Sequence, residues 1–148
     1  MVASSASAQD CSDLFISEYV EGPGNNNAIE IYNPTGSTID LSEYSINRYG
    51  NGASTLPDSW PLSGSIASGQ AIAIGNGQVD SVWVITYWSL PVEPVFLAAC
   101  DYSCSGIYPT PFYFNGDDAI TLEKINGDIV DIFGKVGEDP GNAWTNDV

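Results

Sequence analysis

The chain has 148 residues, 43% of them hydrophobic and 11% aromatic, enough for one domain that buries roughly 70% of its unfolded surface. Against 19 acidic residues stand only Arg48, Lys124 and Lys135, a net charge of -16 at pH 7. Such a surface cannot neutralise phosphates by releasing counterions, so direct nucleic-acid binding is not expected, and no apolar run approaches the roughly 20 residues a membrane-spanning helix needs.

At the N-terminus, Ala6-Ser7-Ala8 before Gln9 has the small-x-small spacing of a signal-peptide cleavage site, without the basic and apolar regions that precede one. Residues 1–9 are therefore read as a signal-peptide remnant or a disordered N-terminus, and residues 10–148 as one domain of an exported or cell-surface protein. Cysteine usage fits that compartment: Cys100 and Cys104 are close enough to form a disulfide, worth roughly 2 kcal/mol by loop closure, which leaves Cys11 unpaired. With no histidine in the chain, a zinc site built on three cysteines would lack its fourth ligand, so zinc ranks well below a disulfide.

Short β runs broken by turn residues follow, with no sustained 3.6-residue period. Leu14–Val20 alternates Leu14, Ile16 and Val20 against Phe15, Ser17 and Tyr19. After the loop Glu21–Asn27 comes Ala28–Asn33, with Ile29 and Ile31 on one face, and the two strands are expected to pair. Asn33-Pro34-Thr35-Gly36 is a turn signature before Ile39–Leu41 and Tyr44–Tyr49. Ser68-Gly69-Gln70 precedes the run Ala71–Ile74. Val82–Trp88 is the most β-prone window, soon stopped by Pro91 and Pro94. Ala119–Ile125 and Asp128–Phe133 flank Asn126-Gly127, the pair favoured in type I′ hairpin turns because both residues tolerate positive φ. Seven or more such strands in one domain predict an all-β, two-sheet sandwich.

The absence of histidine removes Ser-His-Asp and Cys-His catalysis, and no GxSxG, P-loop or HExxH motif is present. A carboxylate pair remains conceivable at Asp117-Asp118, but adjacent residues entering a strand point to opposite faces, so the pair reads as a polar turn. The chain is not expected to be an enzyme, and no cofactor is expected. Calcium is the one metal with candidate ligands: Glu21 with Asn25–Asn27, Asn115 with Asp117 and Asp118, and Glu138-Asp139 with Asn142. None follows the DxDxDG spacing, and Asn and Asp also favour plain turns. Glu18 and Glu30 interrupt apolar strands; either they face solvent or one pairs with Arg48 in the core. Trp60, Trp83, Trp88 and Trp144 are core aromatics or a stacking platform for sugar rings, and the stretch holding Trp83, Tyr87 and Trp88 is the strongest candidate interface.

The run LFISEYVEGPGNNNAIEIYN (Leu14–Asn33), continuing into Pro34-Thr35-Gly36 and Asp40-Leu41-Ser42-Glu43-Tyr44, resembles the opening of the lamin-tail domain family, particularly its bacterial secreted members. Asn115-Gly116-Asp117-Asp118-Ala119, Asp131-Ile132-Phe133-Gly134 and Asp139-Pro140-Gly141 with Trp144 resemble its later signatures in the same order; residues 51–113 match more loosely. The resemblance implies an immunoglobulin-like β-sandwich without catalytic residues, an accessory, adhesion or scaffolding unit alongside other domains or subunits of an exported protein. Two alternatives are a carbohydrate-binding module and a piece of a secreted nuclease or phosphoesterase. The family pattern has a further β segment after the Trp144 region, whereas this chain stops at Val148. The expectation is a sandwich lacking its last strand, an unpaired sheet edge open to self-association, and a partner for Cys11 in a longer chain.

Overall fold

A computed structural model describes residues 12–105 and 107–144. The first strand, β1 (Phe15–Glu21), pairs antiparallel with β2 (Asn27–Tyr32), which pairs antiparallel with β7 (Ala71–Asn76); β10 (Tyr102–Cys104) lies parallel to β7 at the sheet's far edge. The second sheet runs β12 (Ile129–Phe133), β11 (Ala119–Lys124), β4 (Tyr44–Tyr49) and β5 (Asp58–Pro61), all antiparallel. Two small ribbons complete the strands: β3 (Ile39–Asp40) with β6 (Ser65–Ile66), and β8 (Val82–Val84) with β9 (Tyr87–Ser89). Among the described residues the one α-helical turn is α1 (Pro94–Leu97).

The alternation read in the sequence decides how the sheets face each other. Ile29 and Ile31 of β2 and Ile72 and Ile74 of β7 meet Ile46 of β4 and Ile120 and Leu122 of β11, and Phe112 and Phe114 fill the gap from the loop before β11. Every one of these side chains is at most 3% exposed. Each contributes roughly 1.5–3 kcal/mol by leaving water, so this layer outweighs any single polar contact in the domain. At one side the two sheets are joined through β1 and β12: the Tyr19 ring stacks on Phe133 at 4.0 Å, and the Ile16 amide donates to the Asp131 carboxylate at 2.8 Å.

Several details depart from the sequence reading. The pairing of β1 with β2 shifts between Ile16 and Glu18, so Ser17 forms an irregularity that reverses the facing of the strand. Tyr19 consequently packs on the core and Val20 faces solvent, opposite to a strict two-residue period. The β11–β12 connection is a three-residue loop, Ile125–Gly127, closed by Gly127 N on Lys124 O (2.8 Å) and Lys124 N on Asp128 O (2.9 Å). In that loop only Gly127 has positive φ, so the turn is a glycine-bulge loop and not type I′. Val82–Trp88 is two three-residue strands around a tight reversal at Ile85-Thr86, with Ile85 at φ 52°.

The expected Cys100–Cys104 disulfide is absent: both thiols are free. Cys104 points into the core between the sheets, whereas Cys100 lies on the opposite, outer face of the same sheet, against the bare Cα of Gly75. Five residues in sequence are thus separated by the thickness of the sheet. Burial pushes the Cys104 thiol up to about 11 and the Cys100 thiol also upward, with the Asp101 charge adding to the latter. Cys11 and the signal-peptide expectation for residues 1–9 lie outside the described residues.

Candidate functional site

The β8–β9 hairpin stands outside the sandwich and carries an apolar surface the core does not use. Trp83 is 53% exposed, Ile85 71%, Tyr87 53%, Trp88 63% and Leu90 65%. The two indoles cross edge to face, with centroids 5.5 Å apart and planes at 70°, so they form a ridge and not a flat platform. The three residues singled out in the sequence, Trp83, Tyr87 and Trp88, therefore lie on one small protruding ribbon.

What holds this ribbon in place was not legible beforehand. Gln78 is 3% exposed, and its side-chain amide donates to the carbonyls of Asp80, Ser89 and Leu90 at 2.8–3.0 Å. Its carbonyl oxygen accepts from Ser89 Oγ (3.1 Å) and from the Tyr113 hydroxyl (2.8 Å). One side chain thus clamps both ends of the hairpin to the loop before β11. The β1–β2 loop grips it from the other side: Asn25 Nδ2 donates to Ser89 Oγ, and Asn26 Oδ1 accepts from the Glu93 amide at 3.0 Å. That loop needs its glycines, because a Cβ on Gly22 would sit 2.8 Å from the Asn26 carbonyl and Gly24 lies at φ 65°. A lone Gln in a Gly-Asn-Gly-Gln run carries no pattern that would reveal this role.

Between hairpin and loop lies an open cleft of about 360 Å³. Tyr87, Trp88 and Leu90 form one wall, Glu21 and Asn25 the other, and Asn27, Phe114 and Asn115 also line it. The volume falls in the range of small-molecule clefts.

Several of the calcium candidates have protein partners of their own. Asp118, 1% exposed, accepts from the Asn51 amide (2.9 Å) and the Asn115 amide (3.2 Å) and faces Arg48 Nη1 at 3.5 Å. Burial raises its pKa despite those partners. Trp144 Nε1 donates to the Asp118 carbonyl at 2.9 Å, so Asn115–Asp118 closes the start of β11 as a structural turn. Asp117 makes none of these contacts, and its Oδ1 is buried without a hydrogen-bond partner. Glu138 pairs with Lys135 at 2.5 Å on the surface, and Asp139 accepts from the Gly141 amide at 2.7 Å. Asn142 and Asn115 are exposed. Among the described residues, no three Asp, Glu or Cys side chains converge as a metal site.

Glu18 and Glu30 lie opposite each other on β1 and β2, and Glu30 accepts from Ser17 Oγ at 2.7 Å. Neither meets Arg48, whose guanidinium grips Asp58 through Nε (3.1 Å) and Nη2 (2.5 Å) and donates to the Tyr113 carbonyl. Lys124 pairs with Asp13 at 2.6 Å. Every lysine and arginine of the sequence is thus engaged by a carboxylate, and the unneutralised surface charge is acidic. Trp60 packs edge-on against Phe112 at 6.0 Å, and Trp144 covers Gly134, so these two indoles are structural. No helix among the described residues is long and apolar enough to cross a membrane.

A search of curated proteins finds no match to this chain. The family model described as Lamin Tail Domain matches residues 7–137, a span that contains both sheets and the β8–β9 hairpin. That family has an immunoglobulin-like fold, in keeping with the two four-stranded sheets packed across an isoleucine-rich core. The chain belongs to the Lamin Tail Domain family.

Proposed function

We propose that this domain is a non-catalytic accessory unit of a secreted or cell-surface protein, working by adhesion or by positioning other domains or subunits of that protein. The observation that carries the reading is the β8–β9 hairpin, which presents Trp83, Ile85, Tyr87 and Trp88 to solvent while the sandwich is already closed around its own core. Large apolar side chains gathered on one rigidly anchored ribbon are the usual mark of a contact surface. The net charge of -16 disfavours phosphate-bearing partners and leaves uncharged or cationic surfaces as the fitting ones.

The test uses the full-length protein in its source cells, with a photo-crosslinking residue placed at Ile85 or, as a control, at the exposed Gly36 in the turn after β2. Adducts to another envelope or extracellular component from Ile85 but not from Gly36 are expected, together with antibody access on intact cells. Equal adducts from both positions, none from either, or antibody access only after lysis would overturn the reading.

A further inference from the structure

The cleft beneath the hairpin is lined by uncharged polar groups, one carboxylate and exposed rings, beside a buried acceptor that has no partner. Asn27, at the start of β2, is 1% exposed, and both of its amide donations are fixed, to Phe112 O (3.1 Å) and Phe114 O (2.8 Å). That orientation leaves Oδ1 as an acceptor, and it has no partner. An unpaired buried acceptor costs roughly 1–3 kcal/mol, and because solvent does not reach Oδ1, a donor meets it only if the cleft lining shifts. Glu21 contributes a second acceptor at the rim, where its carboxylate already takes the Tyr19 hydroxyl at 3.2 Å. Asn25 and Asn115 add neutral amides, and Tyr87 and Trp88 add exposed rings.

We propose that this cleft binds a neutral saccharide. A sugar ring offers what these residues lack: hydroxyl donors along one edge for Glu21 and the side-chain carbonyls of Asn25 and Asn115, and a C–H face for the electron-rich surface of Trp88. An anionic ligand is excluded by the domain's charge and by the absence of any cation in the cleft lining. A cationic peptide fits less well, because the only carboxylate in the lining is Glu21 and the other polar side chains are uncharged amides and the hydroxyls of Tyr87 and Ser89. The proposal rests on the same reading of the hairpin as a contact element and gives one side of it a ligand class.

Titration of the purified chain with cellohexaose, chitohexaose, laminarihexaose, xylohexaose and mannohexaose, followed by tryptophan fluorescence and calorimetry, tests the proposal, with hexalysine as the cationic comparison. At least one saccharide is expected to saturate with a Kd between about 10 μM and 1 mM. Trp88→Ala, at an exposed position that leaves the fold intact, is expected to weaken that binding about tenfold or more. Glu21→Gln weakens it several-fold, and Leu56→Asn, at a 94% exposed position outside the cleft lining, leaves it unchanged. Absence of saturation by all five saccharides at about 10 mM, equal binding by Trp88→Ala and the unmodified chain, or binding of hexalysine alone would overturn the proposal. A failed panel with Ile85 crosslinking retained would remove the saccharide and leave the accessory reading standing.

Discussion

The paired sheets and the β8–β9 hairpin are built from similar residues and end in opposite environments. Ile29, Ile31, Ile72 and Ile74 vanish between two layers, whereas Val82–Trp88, richer in β-branched and aromatic side chains, forms three-residue strands with both indoles in solvent. Propensity made each segment extended; a facing sheet decided which was buried. The sandwich accordingly draws its stability from apolar area. The hairpin is held through Gln78 and two asparagines of the β1–β2 loop, and a two-stranded ribbon alone would be marginal.

The largest test of this contrast is a pair of truncations read by urea unfolding. Ile31→Ala, at a fully buried position, should cost about 4 kcal/mol, while Trp88→Ala should cost less than about 1 kcal/mol. Comparable losses would show that the hairpin is part of the cooperative core. Next in size, Gln78→Ala strands the carbonyls of Ser89 and Leu90 and should cost about 2 kcal/mol. Its signature is local: amide exchange should accelerate over residues 82–92 far more than in β2, β4 or β11. Uniform acceleration would contradict the separate anchoring described above.

Smaller effects refine the picture at the margins. Ile85 holds a branched side chain at φ 52°, so Ile85→Asn should raise stability by about 0.5–1 kcal/mol while removing an exposed apolar group. A lowered melting temperature would show that the Ile85 side chain packs on a neighbour. The smallest expected effect is electrostatic and belongs to the sandwich. Burial alone would raise the Asp13 carboxyl, but Lys124, the Tyr44 hydroxyl and the Leu14 amide together hold it below the usual range. A depressed folded pKa supplies stability above the ordinary aspartate value, about 4, and loses it as pH falls through the lower folded value. Asp13→Asn should therefore lower the melting temperature near about pH 7 and have no effect near about pH 2, and an equal effect at both would show that packing, not charge, is lost.

The strand pairs and the isoleucine faces were legible because period-two patterning is a local property: Ile29 and Ile31 share a face however the chain folds. Lamin-tail membership was legible for a related reason, since its signatures lie in contiguous runs at both ends of residues 13–144. Other features depend on what lies across space. The irregularity at Ser17 sends Tyr19 inward, where Phe133 and Phe114 await it, and no alternation rule contains that switch. Cys100 and Cys104 looked bridgeable because spacing counts residues, whereas β10 and the turn after α1 put them on opposite faces of one sheet.

The candidate site divides in the same way. Trp83, Tyr87 and Trp88 stood out by composition, but their exposure follows from the sandwich closing without them. Gln78 and the unpaired Asn27 Oδ1 had no sequence signal, because a buried polar side chain takes its meaning from partners remote in the chain: Tyr113 for one, Phe112 and Phe114 for the other. The sequence by itself determined the β architecture, the acidic surface and the family, all properties of composition and local pattern. Only the tertiary structure decided which polar atoms were buried, that Cys100 and Cys104 lie on opposite faces of a sheet and where a cleft remained open, because each depends on contacts between residues far apart in sequence.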